Sequence, residues 1–307
     1  MAIDYANEGA DLRAAEVANP LLWTLLVDKT DLYSVGMLNF GDLAGSGSST
    51  TNISQVDLDD AMTAPAEGAA VAVTDFGTSS VQAAIARQAI RRTYTDLFVG
   101  TGAPGMAMTP QKVAEDIANA VTIRRTGLIA ALFSSVANSV GTTTVDLSVD
   151  DIYDAIFQLQ NESNEPPFFV TLYPEQFNNF MNSLRGEGGA NQFKADTAMM
   201  MGAKPPGFKG VWNNVQFWTS DQVPTANGGA DSAGCMWSLG AFGYVEGNVA
   251  PMLKNAGSLK ETVPERSPAW IEFQRDPASG LTDVVGNYYT GVVENEDLRA
   301  CAIITDR

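Results

Sequence analysis

Residues 109–137, TPQKVAEDIANAVTIRRTGLIAALFSSVA, read as one long helix. Thr109 is placed to cap it, and Pro110 suits the first helical position. Glu115 and Asp116 lie toward the positive end of its dipole. Val113, Ile117, Ala120, Val121, Leu128 and Leu132 recur at a three-or-four spacing, which gives the helix one apolar face. At ~1.5 Å per residue it spans roughly 40 Å, more than a small core needs. No a/d heptad persists, against a coiled coil. Lys112, Glu115, Asp116, Arg124 and Arg125 exclude a membrane-spanning run of ~20 apolar residues. The remaining reading is a scaffold spine.

The chain around it has 307 residues, 45% of them hydrophobic, enough for one large or two smaller domains. Its formal net charge is −18, a surface that repels nucleic acid and anionic membranes. Histidine is absent. That removes Ser-His-Asp and Cys-His catalysis and the usual zinc sites. Cys235 and Cys301 make no disulfide framework and read as free thiols of a reducing cytoplasm. The apolar run 21–27 has neither the length nor the basic flank of a secretion signal.

Residues 1–40 read as an arm, with a short helix at Asp11–Ala18 broken by Asn19-Pro20. The arm packs either on its own domain or on another subunit, and this stretch leaves both open. Residues 41–76 open with a Gly/Ser joint. Thr51–Leu58 and Gly68–Asp75 then read as two strands about a turn at Met62–Glu67. With only Ile53, Val56, Leu58, Val71 and Val73 to bury, such a hairpin is marginal alone in water and needs a surface to lie on. Ser79–Phe98 can be read as helix or strand from Val81, Ile85, Ala89 and Tyr94, and the favoured reading is a long strand running from the hairpin into the core.

Charge is unevenly spread. Residues 1–76 hold two bases and twelve acids, net −10; residues 77–138 hold six bases and three acids, net +3. This pattern predicts that acids of one subunit's arm and hairpin (Asp57, Asp59, Asp60) lie across basic residues of the next. Arg87, Arg91, Arg92, Arg124 and Arg125 are the candidate acceptors.

Gly100-Thr-Gly102-Ala-Pro-Gly105 matches a dinucleotide fingerprint in letters only. The helix opens after the glycines, and arginines stand where the fingerprint needs an acid. Asp57, Asp59 and Asp60 lack the glycine and late glutamate of a calcium loop. No catalytic residue, cofactor or metal site is assigned, and the expectation is that the chain is not an enzyme.

From residue 139 the texture changes. Ser148-Val-Asp-Asp151 is a capping-box start for a helix carrying Val149, Ile152, Ile156 and Leu159. Pro166-Pro167 ends it, Phe168–Leu172 is a buried strand, and Tyr173-Pro174 opens a helix with Phe177, Phe180, Met181 and Leu184 on one face, stopped by Gly186. Residues 186–210 read as an extended loop and Val211–Val223 as a strand pair or bent strand. Cys235–Val245, Ala269–Arg275, Leu281–Val293 and Leu298–Thr305 read as strands. The class is α+β, without regular βαβ alternation.

FFVTLYPEQFNNFMNSLRG, GVWNNVQFWTSDQVPT, GAFGYVEG and PAWIEFQRDPASGLTDVVGNYYTGVVENEDLRACAIITD, in this order and spacing, resemble the Hong Kong 97-like major capsid proteins of tailed double-stranded DNA bacteriophages. The resemblance runs over most of the chain, and no single motif is specific. It implies an N-terminal arm (1–40), an extended E-loop hairpin (41–76), a peripheral domain with the spine helix (77–138 and 264–292) and an axial domain (139–263 and 293–307). It places the loop at Arg275–Gly280 near local three-fold axes, and so adds Arg275 to the inter-subunit residues. It also implies self-assembly into hexamers and pentamers forming an icosahedral shell around packaged DNA. Assembly would occur in the host bacterial cytoplasm, with no membrane, and the partners the resemblance allows are a portal, a decoration protein and either a separate scaffolding protein or none. An encapsulin-like compartment is the alternative on the same fold. No lysine lies between Lys29 and Lys112, so lysine cross-linking from the hairpin is excluded. The chain begins at Met1, about where the arm begins, and the expectation is a shell without proteolytic maturation.

Overall fold

The computed structural model describes residues 17–26, 36–42, 49–57, 77–95, 110–162, 164–186, 193, 207–249, 268–276 and 278–307. The order is helix α1 (17–26), strands β1 (Leu38–Asp42), β2 (Thr50–Asp57), β3 (Gly77–Ala84) and β4 (Ala86–Thr95), then helix α2 (Pro110–Ala130). After it come β5 (Ser139–Val140), α3 (Val149–Asn161), β6 (Phe168–Leu172), α4 (Pro174–Gly186), β7 (Phe208–Trp212), β8 (Val215–Thr219) and β9 (Thr225–Ala226). The chain closes with β10 (Asp231–Ser238), β11 (Phe242–Glu246), β12 (Ala269–Asp276), β13 (Leu281–Glu294) and β14 (Ala300–Asp306). This is the α+β class the pattern predicts.

Two main sheets hold the strands. In the first, β13 pairs along one side with β12 and then β11 and along the other with β4, and β1 adds to β11. Helix α2 lies on one face of this sheet. Val113, Ile117 and Val121 bury there, against Val284 and Tyr288 of β13. Gly286 is what allows the approach: a Cβ there would stand 2.7 and 2.8 Å from Ile117 Cγ2 and Cδ1. The second sheet runs β5-β14-β10-β6-β8-β7 with β9 on β10. It is covered on both faces, and its central strands β6 and β10 are buried throughout, as continuous apolar runs such as FFVTL require. Leu172, Val170, Phe168 and Met236 face helices α3 and α4. Phe169, Trp237, Cys235 and Ala302 face Phe133, just past the end of α2.

Local signals account for several boundaries. Ser148 caps α3 in a full capping box with Asp151, and Val149, Ile152, Ile156 and Leu159 are all buried. Gln176, fully buried in the first turn of α4, donates to Ser232 O, Ile303 O and Thr305 Oγ1, and its Oε1 accepts from Tyr173 N. Asn213 and Asn214, both at positive φ, make the two-residue turn between β7 and β8. Cys235 and Cys301 are free; they sit on neighbouring strands but face opposite sides of the sheet.

Four sequence expectations need correction. First, the spine helix stops at Ala130, not Ala137, and its 21 residues span about 32 Å at ~1.5 Å per residue. Beyond it the turns tighten to i→i+3 bonds (Leu132 N to Ile129 O, Phe133 N to Ala130 O). That tightening delivers Phe133 and Val136 to the second sheet's core. At the other end the helix begins at Pro110, as expected, but no acid lies in its first turn; Glu115 and Asp116 come after it, where the dipole has faded, and Thr109 falls outside the described residues. Second, the hairpin partner of β2 is β3, with Ile53 opposite Val81, so the ribbon takes in the start of the long strand predicted at Ser79–Phe98. Gly68–Asp75 and the glycine run 100–105 lie outside the described residues.

Third, Asn19-Pro20 does not break a helix: both residues lie within the helical run 17–26. Helix α1 packs on its own chain, burying Ala18, Leu22 and Leu26 against α2, β12 and β13. Each buried leucine contributes about 1.5–3 kcal/mol to holding the helix on the sheet. Asn19 gives Nδ2 to Ile271 O (3.2 Å) and accepts from Ile271 N (2.7 Å), pairing with the open edge of β12 as a strand would. Fourth, Cys235–Val245 is two strands, parted at Leu239–Ala241, and the second of them joins the other sheet.

Gly286→Val should lower the unfolding free energy by about 1–3 kcal/mol through overpacking against Ile117, and adding Ile117→Ala should recover part of the loss in chemical denaturation. Equal losses in the single and double variants would show that the contact is not the limiting one.

Candidate inter-subunit surface

The basic residues predicted to receive a neighbour come from two elements that the fold brings side by side. Strand β4 pairs antiparallel with β13 over ten residues, so its side chains alternate between the two faces of the first sheet. Arg92 and Gln88 fall on the face toward α2, whereas Arg87 and Arg91 fall on the opposite face.

On the α2 side, Arg92 Nε meets Asp116 Oδ2 at 3.1 Å, and Arg124 Nε donates to Gln88 Oε1 at 2.8 Å. Arg125 turns inward. Its Nε donates to Tyr288 Oη (2.9 Å) and its Nη2 to Glu246 Oε1 (3.0 Å), while Tyr288 Oη donates to the same Glu246 oxygen (2.9 Å). This half-buried triad joins α2, β13 and β11 at one point. The guanidinium also stands 5.0 Å from the Tyr288 ring centre.

On the opposite face, Arg91 Nη2 meets Asp283 Oδ2 at 2.5 Å, and Thr93 Oγ1 donates to Asp283 Oδ1 at 2.6 Å. The Arg91 hydrogen bond, followed by that from Thr93, holds the Asp283 carboxyl below the usual carboxylate range; in turn Asp283 raises Arg91. Arg87 gives Nε and Nη2 to Asn287 Oδ1 (2.9 and 2.6 Å). Asn287 Nδ2 and Trp270 Nε1 both donate to Glu272 Oε1 (3.0 and 2.6 Å), and the Trp270 ring stacks on Tyr289 with centroids 5.5 Å apart. The result is a polar ladder across β4, β13 and β12.

The structure thus brings Arg87, Arg91, Arg92, Arg124 and Arg125 to one sheet and its helix, and gives each a partner in its own chain. Arg91 remains 67% exposed and Arg92 47%, against 12% for Arg125. Arg275, half-buried on β12, lies apart from them, opposite Thr282 near the turn at 276–280. In that turn Asp276 accepts from Ser279 Oγ and Ala278 N, which pulls its carboxyl below the ordinary range. Asp57 ends β2, and Asp59 and Asp60 lie outside the described residues. Sequence reasoning missed the acceptors. Asp116 was readable as a dipole partner, and Asp283, 192 residues from Arg91, carries no local signal.

In sequence, the chain matches no protein-family model and no curated protein. In structure it has extensive likenesses. The capsid of Ralstonia phage GP4 superposes with a TM-score of 0.62 at 11% identity, covering 91% of each chain. A structure from Mycobacterium phage Che8 gives 0.55 at 14% identity over 84% of this chain and 85% of that one. The SrpI encapsulin complex of Synechococcus elongatus PCC 7942 gives 0.57 at 11% identity over 88% and 85%. The chain therefore has the Hong Kong 97-like capsid fold.

The depressed Asp283 carboxyl makes a signed prediction. Its stabilising contribution is present above the unfolded value of about 3.9 and is lost as pH falls through the folded value. The melting temperature of Asp283→Asn should lie below wild type at neutral pH, and the gap should narrow as pH falls below about 3.9. A gap unchanged by acid would show that the pair does not titrate with folding.

Proposed function

We propose that the chain is a major capsid protein, self-assembling through hexamers and pentamers into a non-covalent icosahedral shell around double-stranded DNA. The observation that carries this is the end-to-end likeness to capsid subunits, about nine-tenths of both chains in the phage GP4 comparison. The β2–β3 ribbon supports it. It is a two-stranded sheet paired with neither main sheet, and Asn52, Ser54, Ser79, Ser80, Gln82 and Ala84 are exposed along it. Such a ribbon gains stability from a third surface, and a neighbouring copy supplies one.

We assign residues 1–40 to the arm and extend the E-loop hairpin to residue 84, because β3 is its second strand. The peripheral domain takes 85–138 and 264–292 with β1 and β11 in its sheet; the axial domain takes the rest of 139–263 and 293–307. Arg87, Arg91, Arg92 and Arg124 are the basic groups offered to a neighbour's Asp57, Asp59 and Asp60, with Arg275 at a second contact. A guanidinium carries five donors, and the in-chain bonds named above use one or two of each. Arg125 serves its own triad. With net charge −18, the wall should not grip phosphates, which favours packaging and release. The absence of lysine from 30 to 111 supports a shell without hairpin cross-links. Scaffolding, portal and decoration proteins complete the assembly in the host cytoplasm.

The likeness to the SrpI encapsulin supports a second reading, the same shell around protein cargo. Electron microscopy of the purified protein, with its nucleic acid content, tests both. Closed particles that hold nuclease-protected DNA when isolated from infected cells support the capsid. Closed particles with protein cargo and no DNA favour the compartment, and a uniform monomer contradicts both.

A further inference from the structure

Helix α2 stands over β13, and between it and β4 the first sheet is left open as a socket of about 370 Å³. Ile90, Ile117, Ala120 and Val121 line it together with the backbone at Gly286, and Arg124 stands beside them. Ile117 and Val121 are buried and Ile90 is half-buried. Two side-chain bonds reach across the gap between helix and strand: Arg124 Nε to Gln88 Oε1 at the socket, and Arg92 Nε to Asp116 Oδ2 one residue before Ile117. The volume is that of a ligand site, ~300–1,000 Å³, and the lining is apolar. Such a lining accepts an apolar group, and the two arginines favour acids next to that group.

The chain carries one such segment. Asp57-Leu58-Asp59 is the one place in the sequence where an apolar residue stands between two acids, and Asp60 follows. Its place in the fold fits a neighbour's socket. Strand β2 starts at Thr50, opposite Ala84, whose carbonyl lies against Gly291 of β13, and it ends at Asp57, opposite Gly77. At ~3.3 Å per residue the strand carries Asp57 roughly 23 Å from that junction. The chain passes the junction before it reaches Ile90, so along its path the ribbon's far end and the socket lie to either side of it.

We propose that the socket takes Leu58 of a second copy, with Asp57 and Asp59 of that copy meeting Arg92 and Arg124 at the rim. This rests on the shell reading and adds an apolar knob to the contact between the hairpin acids and the arginines. Rim pairs in water are screened, with a Debye length of ~3 Å at 1 M salt, whereas burial of a leucine is not. Charge guides the segment to the socket, and burial holds it there. Ala120 leaves the space open: a longer side chain at that position fills it from within.

Particles co-assembled from Leu58→Cys and Ala120→Cys chains, mildly oxidised and run on a non-reducing gel, test the socket. Cys235 and Cys301 are fully buried and leave the new thiols to react. The mixture should give severalfold more covalent dimer than either variant alone. No dimer from mixed particles overturns the socket. So does an equal yield when Ala120→Cys is replaced by Gln274→Cys, exposed on the opposite face of the sheet. Should the cysteine chains fail to assemble, Leu58→Ala removes the knob and Ala120→Met fills the socket. Each should lower the urea concentration at which particles come apart, or stop a folded chain from assembling. A midpoint equal to wild type in either variant overturns the socket. Mixed particles that form without the link reject the socket and leave the shell reading standing; a wild-type chain that never forms particles rejects both.

Discussion

The approach of Ile117 to the bare backbone of Gly286 fixes how α2 sits on the first sheet, and the rest of the chain is hung from that contact. Strand β13 carries it. This strand of 14 residues takes β12 and then β11 on one side and β4 on the other. Its Tyr288 closes the triad with Arg125 and Glu246, its Asp283 receives Arg91, and its last residue, Glu294, enters the junction with the second sheet. A side chain at position 286 would lift the helix, and the polar network that depends on the same spacing would lengthen with it. Packing sets the distance, and hydrogen bonds and charge pairs fix the register.

The electrostatics follow from this geometry. Summed over segments, the basic centre of the sequence looks like a patch awaiting an acidic partner. In the fold each of its five central arginines has an acceptor in its own chain, so the patch is already partly neutralised. In the proposed assembly, a neighbour would meet arginines already held in place, which costs less side-chain entropy than ordering free ones. The β2–β3 ribbon is the complementary case: backbone-paired within itself, with Asn52, Ser54, Ser79, Ser80, Gln82 and Ala84 exposed along it.

Much of the second sheet was legible in the sequence because its signals are local. Ser148 and Asp151 announce a capping box, Pro174 and Gly186 bound a helix, and FFVTL can only be a strand buried on both faces. The spine was legible from its period, but its end was not. LIAALFSSVA continues the apolar rhythm, while the turns that send Phe133 into the second core answer to that core. The hairpin partner was misread for a similar reason: 68–75 alternates well and closes a short loop, whereas pairing with 77–84 depends on where β4 meets β13. Pro20 looked like a breaker because a proline inside an apolar helical pattern usually is one, and the packing of Leu22 and Leu26 that holds the helix carries no local signal. The candidate site was legible only as charge. Its acceptors, Asp283 and Glu246, are brought in by the topology from more than a hundred residues away.

The account stands on the chain being one tile of a closed surface, with its ribbon supported by a neighbour. A cryo-electron microscopy reconstruction of particles purified from infected cells measures this directly. The account predicts density for β2–β3 lying across the α2-bearing sheet of an adjacent copy, with the arginines of β4 beneath it. Particles in which each ribbon folds back on its own sheet and touches no neighbour would contradict it.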